Sequence, residues 1–340
     1  MIKKIILTGA VSINLMAFQF DIVGGLMNAG KEVFSMDGEA SSINVDRDCK
    51  KPFESYDLNL EGLFSTLGMY GISNSSKIVG FLNNGSTGGN TISQEDFKKL
   101  ANELSKNYLW IPLEVEKLYG EKIYEDRIKS GDVILKNNRN PKYKKMYKKI
   151  DKYMAKYNKY LKDNNLSYPY DIKVYILAKT KTAESLPYGY IFISEDYFDN
   201  DMYETVLSHE LSHISKRHPT KEIQYRLIST HDSITEIGKI IKNMQDKDVN
   251  QKLSMGLMTT ELIKKSFEIY SQEQELEADS CGLKTINGFI PNKIDKHTKN
   301  YIYNVEQCQY QSSIEDNNLK EHPEKEIRIK NINRVSSELI

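Results

Sequence analysis

The run LSHELSH, residues 207–213, constrains this chain more than any other stretch, because it places two histidines and a glutamate within about one helical turn. His209 and His213 are four positions apart, about 6 Å along a helix axis, so both imidazoles can face one metal ion. Glu210 is turned by roughly 100° from His209 and is placed to hold a water molecule beside that ion. With six histidines in the chain, the pattern is expected by chance about 0.01 times. The run therefore predicts a helix that carries a metal site and a catalytic base.

We expect this helix to extend from 202 to 218. Asp201 followed by Glu204 is typical of a capping box at a helix start, and Pro219 indicates the helix end. One alternative stays open until a third ligand is found, in which the two histidines are ordinary helix residues held by hydrogen bonds. Four apolar side chains are expected to form the buried face: Val206, Leu207, Leu211 and Ile214.

The stretch YSQEQELEADSCGLKTINGFIP, residues 270–291, predicts a second helix. We expect this helix to reach about Ile286 and to end at Asn287–Gly288, which together form a good C-cap. Glu273 and Glu277 are interpreted as solvated surface charges.

Two other acidic residues of this stretch, Glu275 and Asp279, are four positions apart and share one face of the helix. A catalytic zinc site needs three protein ligands, and each ligand histidine needs a hydrogen-bond partner on its other nitrogen. Glu275 is therefore the candidate third ligand, and Asp279 is the candidate partner of either His209 or His213.

HELSH and the later ELEAD resemble the zinc-binding motifs of the gluzincin metallopeptidases of the HtpX and BepA type, in peptidase family M48, which includes the CAAX prenyl proteases. The resemblance extends over roughly residues 110–335. Thr182 stands where the family usually has asparagine, and Tyr188 replaces the first of two glycines. Three further segments are similar to family patterns: Arg217–His218, TAESLPYGYIFIS at 182–194, and HPEKEIR at 322–328.

The resemblance implies a mostly helical α+β fold, zincin-like, with a small β-sheet packed on the HExxH helix. It also implies one zinc ion per chain, held by His209, His213 and Glu275, with Glu210 as the base that activates water for peptide hydrolysis. The strand that precedes the helix is expected to be a sheet edge on which an extended polypeptide pairs. Its candidate residues are Leu186, Pro187, Tyr188, Gly189, Tyr190 and Ile191.

Three further residues have less defined expectations. His218 is either a polar residue near a helix end or part of the site. His322 is expected near the zinc, as a fourth inhibitory ligand or as a donor to the oxyanion. Arg328 is expected to hold its own segment through a salt bridge.

Residues 1–20 combine two lysines with a short apolar stretch, which is typical of a secretory signal peptide. We therefore expect an exported protein of the periplasm or cell envelope, soluble or peripherally attached to a membrane. Residues 21–91 have no clear periodicity and no assigned role, and 92–340 form the expected metallopeptidase domain. The three cysteines allow one disulfide, whose pairing is open: Cys49, Cys281 and Cys308.

The chain has 47 basic and 47 acidic residues, so its overall charge gives no reason to expect a nucleic-acid partner. The lysine-rich stretch 136–165 has an apolar stripe at helical spacing and predicts a packed helix with a solvated basic face. A half-buried strand is expected over YDIKVYILA, 170–178.

The expected function is hydrolysis of unfolded or damaged cell-envelope proteins. The alternative is a non-proteolytic zinc-binding chaperone or assembly factor of the cell envelope. A structural zinc site is normally closed by four side chains and has no need of Glu210, so that residue distinguishes the two functions.

Overall fold

The computed structural model describes Cys49, Leu109 and residues 111–199, 201–229, 272–307 and 325–340 of the 340 residues. The expected signal peptide, almost all of the region 21–91, and His322 lie outside these described residues. The described chain is mostly helical with one small sheet, which confirms the predicted α+β class. None of the helices in these ranges is long and apolar enough to cross a membrane.

Helices precede, separate and follow the strands along the chain. In order, the elements are α1 (Leu113–Lys129), β1 (Val133–Ile134), α2 (Pro141–Asp163), β2 (Lys173–Leu177), β3 (Ala183–Leu186), β4 (Tyr190–Ser194), α3 (Tyr203–Ser215), α4 (His218–Ser229), α5 (Gln272–Phe289), α6 (Ile294–Gln307) and α7 (Lys325–Leu339).

Helix α2 confirms the packed helix predicted from the lysine-rich stretch. Asn140 caps its first turn by accepting a hydrogen bond from the Lys142 N–H at 2.9 Å, and Pro141 occupies the first helical position, which needs no donor. Apolar and tyrosine side chains at helical spacing face the core, while most of the lysines face solvent. The buried residues are Met146, Tyr147, Ile150, Tyr153, Tyr157 and Leu161.

The four strands form a mixed sheet in the order β1-β2-β4-β3. Strand β4 pairs in parallel with β2 and antiparallel with β3, and all five of its residues are buried. Its backbone groups therefore serve two neighbouring strands and are not free to bind a peptide.

The expected position of the substrate strand is consequently wrong for its later residues. Tyr190 and Ile191 belong to β4 inside the sheet, and Pro187, Tyr188 and Gly189 form a 3-10 turn. Leu186 ends β3, which is one of the two edge strands of the described sheet. The pattern of Ala183–Leu186 does not predict a strand, because only the two ends of this short segment are apolar.

The metal-site helix also ends earlier than expected. Helix α3 stops at Ser215, and α4 begins at His218, so Pro219 lies in the first turn of a new helix, where proline is tolerated. Arg217 adopts φ 53° at the junction and thereby breaks the helix. The expected capping box is not formed, because the N-cap is Met202 and the Asp201 carboxylate pairs with Lys149 at 2.9 Å.

Helices α3 and α5 pack closely against each other, and every residue of α3 is buried. A Cβ at Gly282 would overlap the Tyr301 hydroxyl and would lie 3.0 Å from the carbonyl oxygen of Ser208, so a larger residue would force these neighbours to shift. Helix α5 continues beyond the expected end at Asn287–Gly288, as far as Phe289, and the Gly288 backbone packs on the Tyr160 ring.

A disulfide joins Cys49 to Cys281 in α5, two positions after Asp279. This bond settles the pairing that the sequence left open. The third cysteine, Cys308, lies outside the described residues.

Candidate metal centre

One ligand atom from each of His209, His213 and Glu275 lies within 4.8 Å of the other two. The two histidine Nε2 atoms are 3.0 Å apart. The Glu275 carboxylate lies 3.6 Å from His209 Nε2 and 3.5 Å from His213 Nε2. Helices α3 and α5 thus bring together the three residues that the sequence singled out as ligands.

These separations fit a tetrahedral zinc site. Ligand arms of about 2.0–2.1 Å at tetrahedral angles place ligand atoms about 3.4 Å apart. The two nitrogens are 3.0 Å apart, and Oε2 and Oε1 of Glu275 lie 3.6 Å from His209 and 3.5 Å from His213, respectively. The lone pairs of the two Nε2 atoms and of the carboxylate point toward one another. A cation bound between them stabilises this arrangement.

His209 is held from behind by Asp279, whose Oδ1 lies 3.0 Å from His209 Nδ1. Asp279 is fully buried. Burial lowers the pKa of His209, but the hydrogen bond to Asp279 and the charge of Glu275 outweigh it and raise that pKa overall. Of the two histidines that the sequence left open, Asp279 therefore contacts His209.

His213 has a different partner. Its Nδ1 lies 2.8 Å from Nδ1 of His218, which is fully buried at the start of α4. Burial holds the pKa of His213 well below its usual value. His218 therefore contacts a candidate ligand histidine directly, although the sequence left its role open.

Glu277 is not the solvated surface charge that we expected. Its Oε2 lies 3.0 Å from His218 Nε2, and its Oε1 lies 3.0 Å from Lys216 Nζ. Burial alone would raise the pKa of Glu277, but the hydrogen bond with His218 and the charge of Lys216 lower it. The helical break after Ser215, which the sequence pattern did not reveal, turns His218 toward Glu277.

Arg328 of α7 ties the two acidic residues of α5 together. Its Nη1 lies 2.8 Å from Glu275, while its Nε and Nη2 lie 2.7 and 2.8 Å from the two oxygens of Asp279. Such a two-point contact with a guanidinium group fixes the orientation of the carboxylate and stabilises its negative charge.

Glu210 lies beside the ligands and is 6% exposed. Burial raises its pKa to about 7. One of its contacts is a hydrogen bond with the side chain of Ser185 in β3, a residue that the sequence did not single out. Its Oε2 has no hydrogen-bond partner among the described residues. A carboxylate in this state is suited to general-base work near neutral pH.

The turn between β3 and β4 is held by a buried ion pair. Tyr188 adopts φ 64°, and its N–H donates to Glu116 of α1 at 3.1 Å. Glu116 also accepts from Arg217 Nε at 2.9 Å, and a second guanidinium nitrogen contacts the same carboxylate. The left-handed backbone at Tyr188 explains why the family that this chain resembles has glycine at this position.

Residues 176–336 match the model of peptidase family M48. The match includes the sheet strands β3 and β4, both metal-site helices and Arg328, whereas α1 and α2 precede it. No curated protein matches the chain. The segment 176–336, just under half of the chain, is thus similar to peptidase family M48, whose members are zinc-dependent metallopeptidases.

Proposed function

We propose that the protein is a zinc endopeptidase of the HtpX/BepA-like type. The observation that carries the proposal is the convergence of His209, His213 and Glu275 on one point, with a buried carboxylate, Glu210, beside them. A closed structural zinc site would use a fourth protein ligand, and the cluster in the described residues has three.

His209, His213 and Glu275 would hold the zinc ion. When bound, zinc supplies a Lewis acid that acidifies water and polarises the scissile carbonyl. Glu210 removes a proton from the attacking water through Oε2, which has no partner in the described part of the chain, and then delivers that proton to the leaving amine. Asp279 and Arg328 keep the ligand side chains in place during these transfers.

The substrate is an extended polypeptide that pairs with β3, an edge strand of the described sheet. The hydrogen bond between Ser185 and Glu210 supports this position, because it places the strand next to the catalytic base. Backbone pairing gives little sequence preference, which suits unfolded or damaged proteins as substrates.

The site of action is the periplasm or cell envelope after export, in the role of protein quality control. The signal-like residues 1–20 support export, and the Cys49–Cys281 disulfide is of a kind that persists in oxidising compartments. Peripheral membrane association is compatible with the basic face of α2.

Glu210→Gln tests the reaction class. The variant should keep about one zinc per chain and should lose cleavage of an unfolded protein such as casein by about 10²–10⁴-fold, because the amide cannot take the proton. The exposed residue Glu125 offers a matched control, and Glu125→Gln should cleave like the wild type. Zinc content is read by elemental analysis and cleavage by release of peptides.

Two results would contradict the proposal. A wild-type protein that cleaves without metal would exclude zinc chemistry. A wild-type protein that binds zinc and cleaves no unfolded protein would favour the chaperone or assembly factor instead.

A further inference from the structure

We propose that His218 is a positioning residue that fixes the tautomer and orientation of the ligand His213, and that Glu277 fixes His218 in turn. The three residues His213, His218 and Glu277 are called the His218 triad below. This inference rests on the proposed zinc site and assigns a role to residues outside the ligand set.

The distances in the triad allow one consistent placement of protons. His213 Nε2 faces Glu275 and the other ligand histidine, so this nitrogen must be unprotonated to bind a metal ion. The proton of neutral His213 is then on Nδ1 and is donated to His218 Nδ1 at 2.8 Å. His218 must accept it there, so its own proton is on Nε2 and is donated to Glu277 at 3.0 Å.

The opposite assignment leaves the site unable to bind metal. If His218 carried its proton on Nδ1, His213 would accept at Nδ1 and carry its proton on Nε2, where a ligand lone pair is needed. Glu277 prevents this arrangement, because its carboxylate can only accept from His218 Nε2. Lys216 balances the charge of the partly exposed Glu277 at 3.0 Å from its other oxygen.

The break between α3 and α4 is what makes the triad possible. In an uninterrupted helix, His213 and His218 would be turned about 140° apart and could not meet. Arg217 leaves the helical conformation at φ 53°, and Glu116 binds its guanidinium group. The chain therefore turns between the two histidines, and their rings approach at an interplanar angle of 72°.

The two ligand histidines consequently donate hydrogen bonds to different kinds of acceptor. His209 donates directly to the carboxylate of Asp279, whereas His213 donates to a neutral ring that stands between it and Glu277. Partners of this kind set ligand orientation and typically change metal affinity by about 10–100-fold when removed.

Nitrogen NMR of the zinc-loaded, ¹⁵N-labelled protein tests the tautomers directly. The expected result is that His213 is protonated on Nδ1 and His218 is protonated on Nε2 alone. The signals of each ring are assigned by their disappearance in the variant that lacks that histidine. A His218 ring protonated on Nδ1, or on both nitrogens, at neutral pH would overturn the proposal. Six histidines in the whole chain keep the spectrum tractable.

Zinc affinity, measured by competition with a chromophoric chelator, tests the positioning role without relying on activity. His218→Phe keeps a flat ring but removes the acceptor, and its zinc dissociation constant should rise about 10–100-fold. His218→Asn retains an acceptor near the position of Nδ1 and should recover part of the affinity.

His297→Phe is the matched control for these variants. His297 is fully buried in α6, and its ring nitrogens have no hydrogen-bond partner among the described residues. Its replacement should leave zinc affinity unchanged. Wild-type affinity in both His218 variants would refute the triad, whereas a wild-type protein that binds no zinc would refute the zinc site itself.

Discussion

At the scale of single residues, Glu116 is the least expected part of the site, because it lies in α1, before the region that matches the family. It contacts two residues that both have left-handed backbone conformations, Tyr188 at φ 64° and Arg217 at φ 53°. Such conformations cost about 1–3 kcal/mol each for residues other than glycine. One buried carboxylate thus holds both the turn beside the edge strand and the break that precedes His218.

Glu116→Gln should therefore be strongly destabilising. Removing one charge from a buried ion pair costs about 3–5 kcal/mol of unfolding free energy, because the remaining charge loses its partner. The exposed Glu114 of the same helix provides the control, and Glu114→Gln should change that free energy by less than about 0.5 kcal/mol. Denaturant unfolding measures the unfolding free energy of both variants. Equal decreases in the two variants would show that the buried ion pair contributes no more than an exposed charge.

At the scale of elements, the site depends on how closely α5 approaches α3. Glu275 and Asp279 reach His209 because Gly282, one turn later, lets the α5 backbone contact the carbonyl of Ser208. The Ser208 hydroxyl also hydrogen-bonds to the Tyr301 hydroxyl at 2.6 Å, which adds α6 to the contact.

Gly282→Ala should displace α5 even though alanine is the better helix former. The added methyl group would press on the Ser208 carbonyl and the Tyr301 hydroxyl, and overpacking of this kind costs about 1–3 kcal/mol. Zinc affinity should fall together with the unfolding free energy, because Glu275 moves with the helix. Thr285→Ala, at a half-buried position of the same helix, is the control. Unchanged zinc affinity in Gly282→Ala would show that the close approach is not needed for the ligands to converge.

Local spacing predicted which side chains come together, because His209 with His213 and Glu275 with Asp279 are each four apart on one helix. It could not predict the end of α3, since the left-handed Arg217 depends on Glu116, 101 positions earlier. Strand β3 was missed because it is four residues long and half polar, so that pairing with β4 rather than its own pattern defines it. The end of α3 and the position of β3 thus depend on contacts between residues that are distant in the sequence. A short sequence window contains no information on these contacts.

At the scale of the whole molecule, the disulfide connects the metal-site helix to a distant part of the chain. Cys49 and Cys281 are separated by 232 positions. A cross-link over a long loop mainly reduces the conformational freedom of the unfolded chain, which stabilises the folded state. Cys281 lies on the same helix as Glu275 and Asp279, so the cross-link acts on the helix that carries the candidate third ligand.

Cys281→Ser should lower the unfolding free energy of the oxidised protein by about 2–5 kcal/mol. Cys49→Ser should have the same effect, because either change removes the same bond, and the wild type in the presence of a reductant should unfold like both variants. The comparison under reducing conditions separates the cross-link from the packing of the buried Cys281 side chain, since loss of packing persists when no disulfide is present. If Cys281→Ser were destabilising in reductant as well, packing rather than the cross-link would be the source of stability.

Mass spectrometry of the oxidised protein after proteolysis should recover the peptides of Cys49 and Cys281 as one linked species.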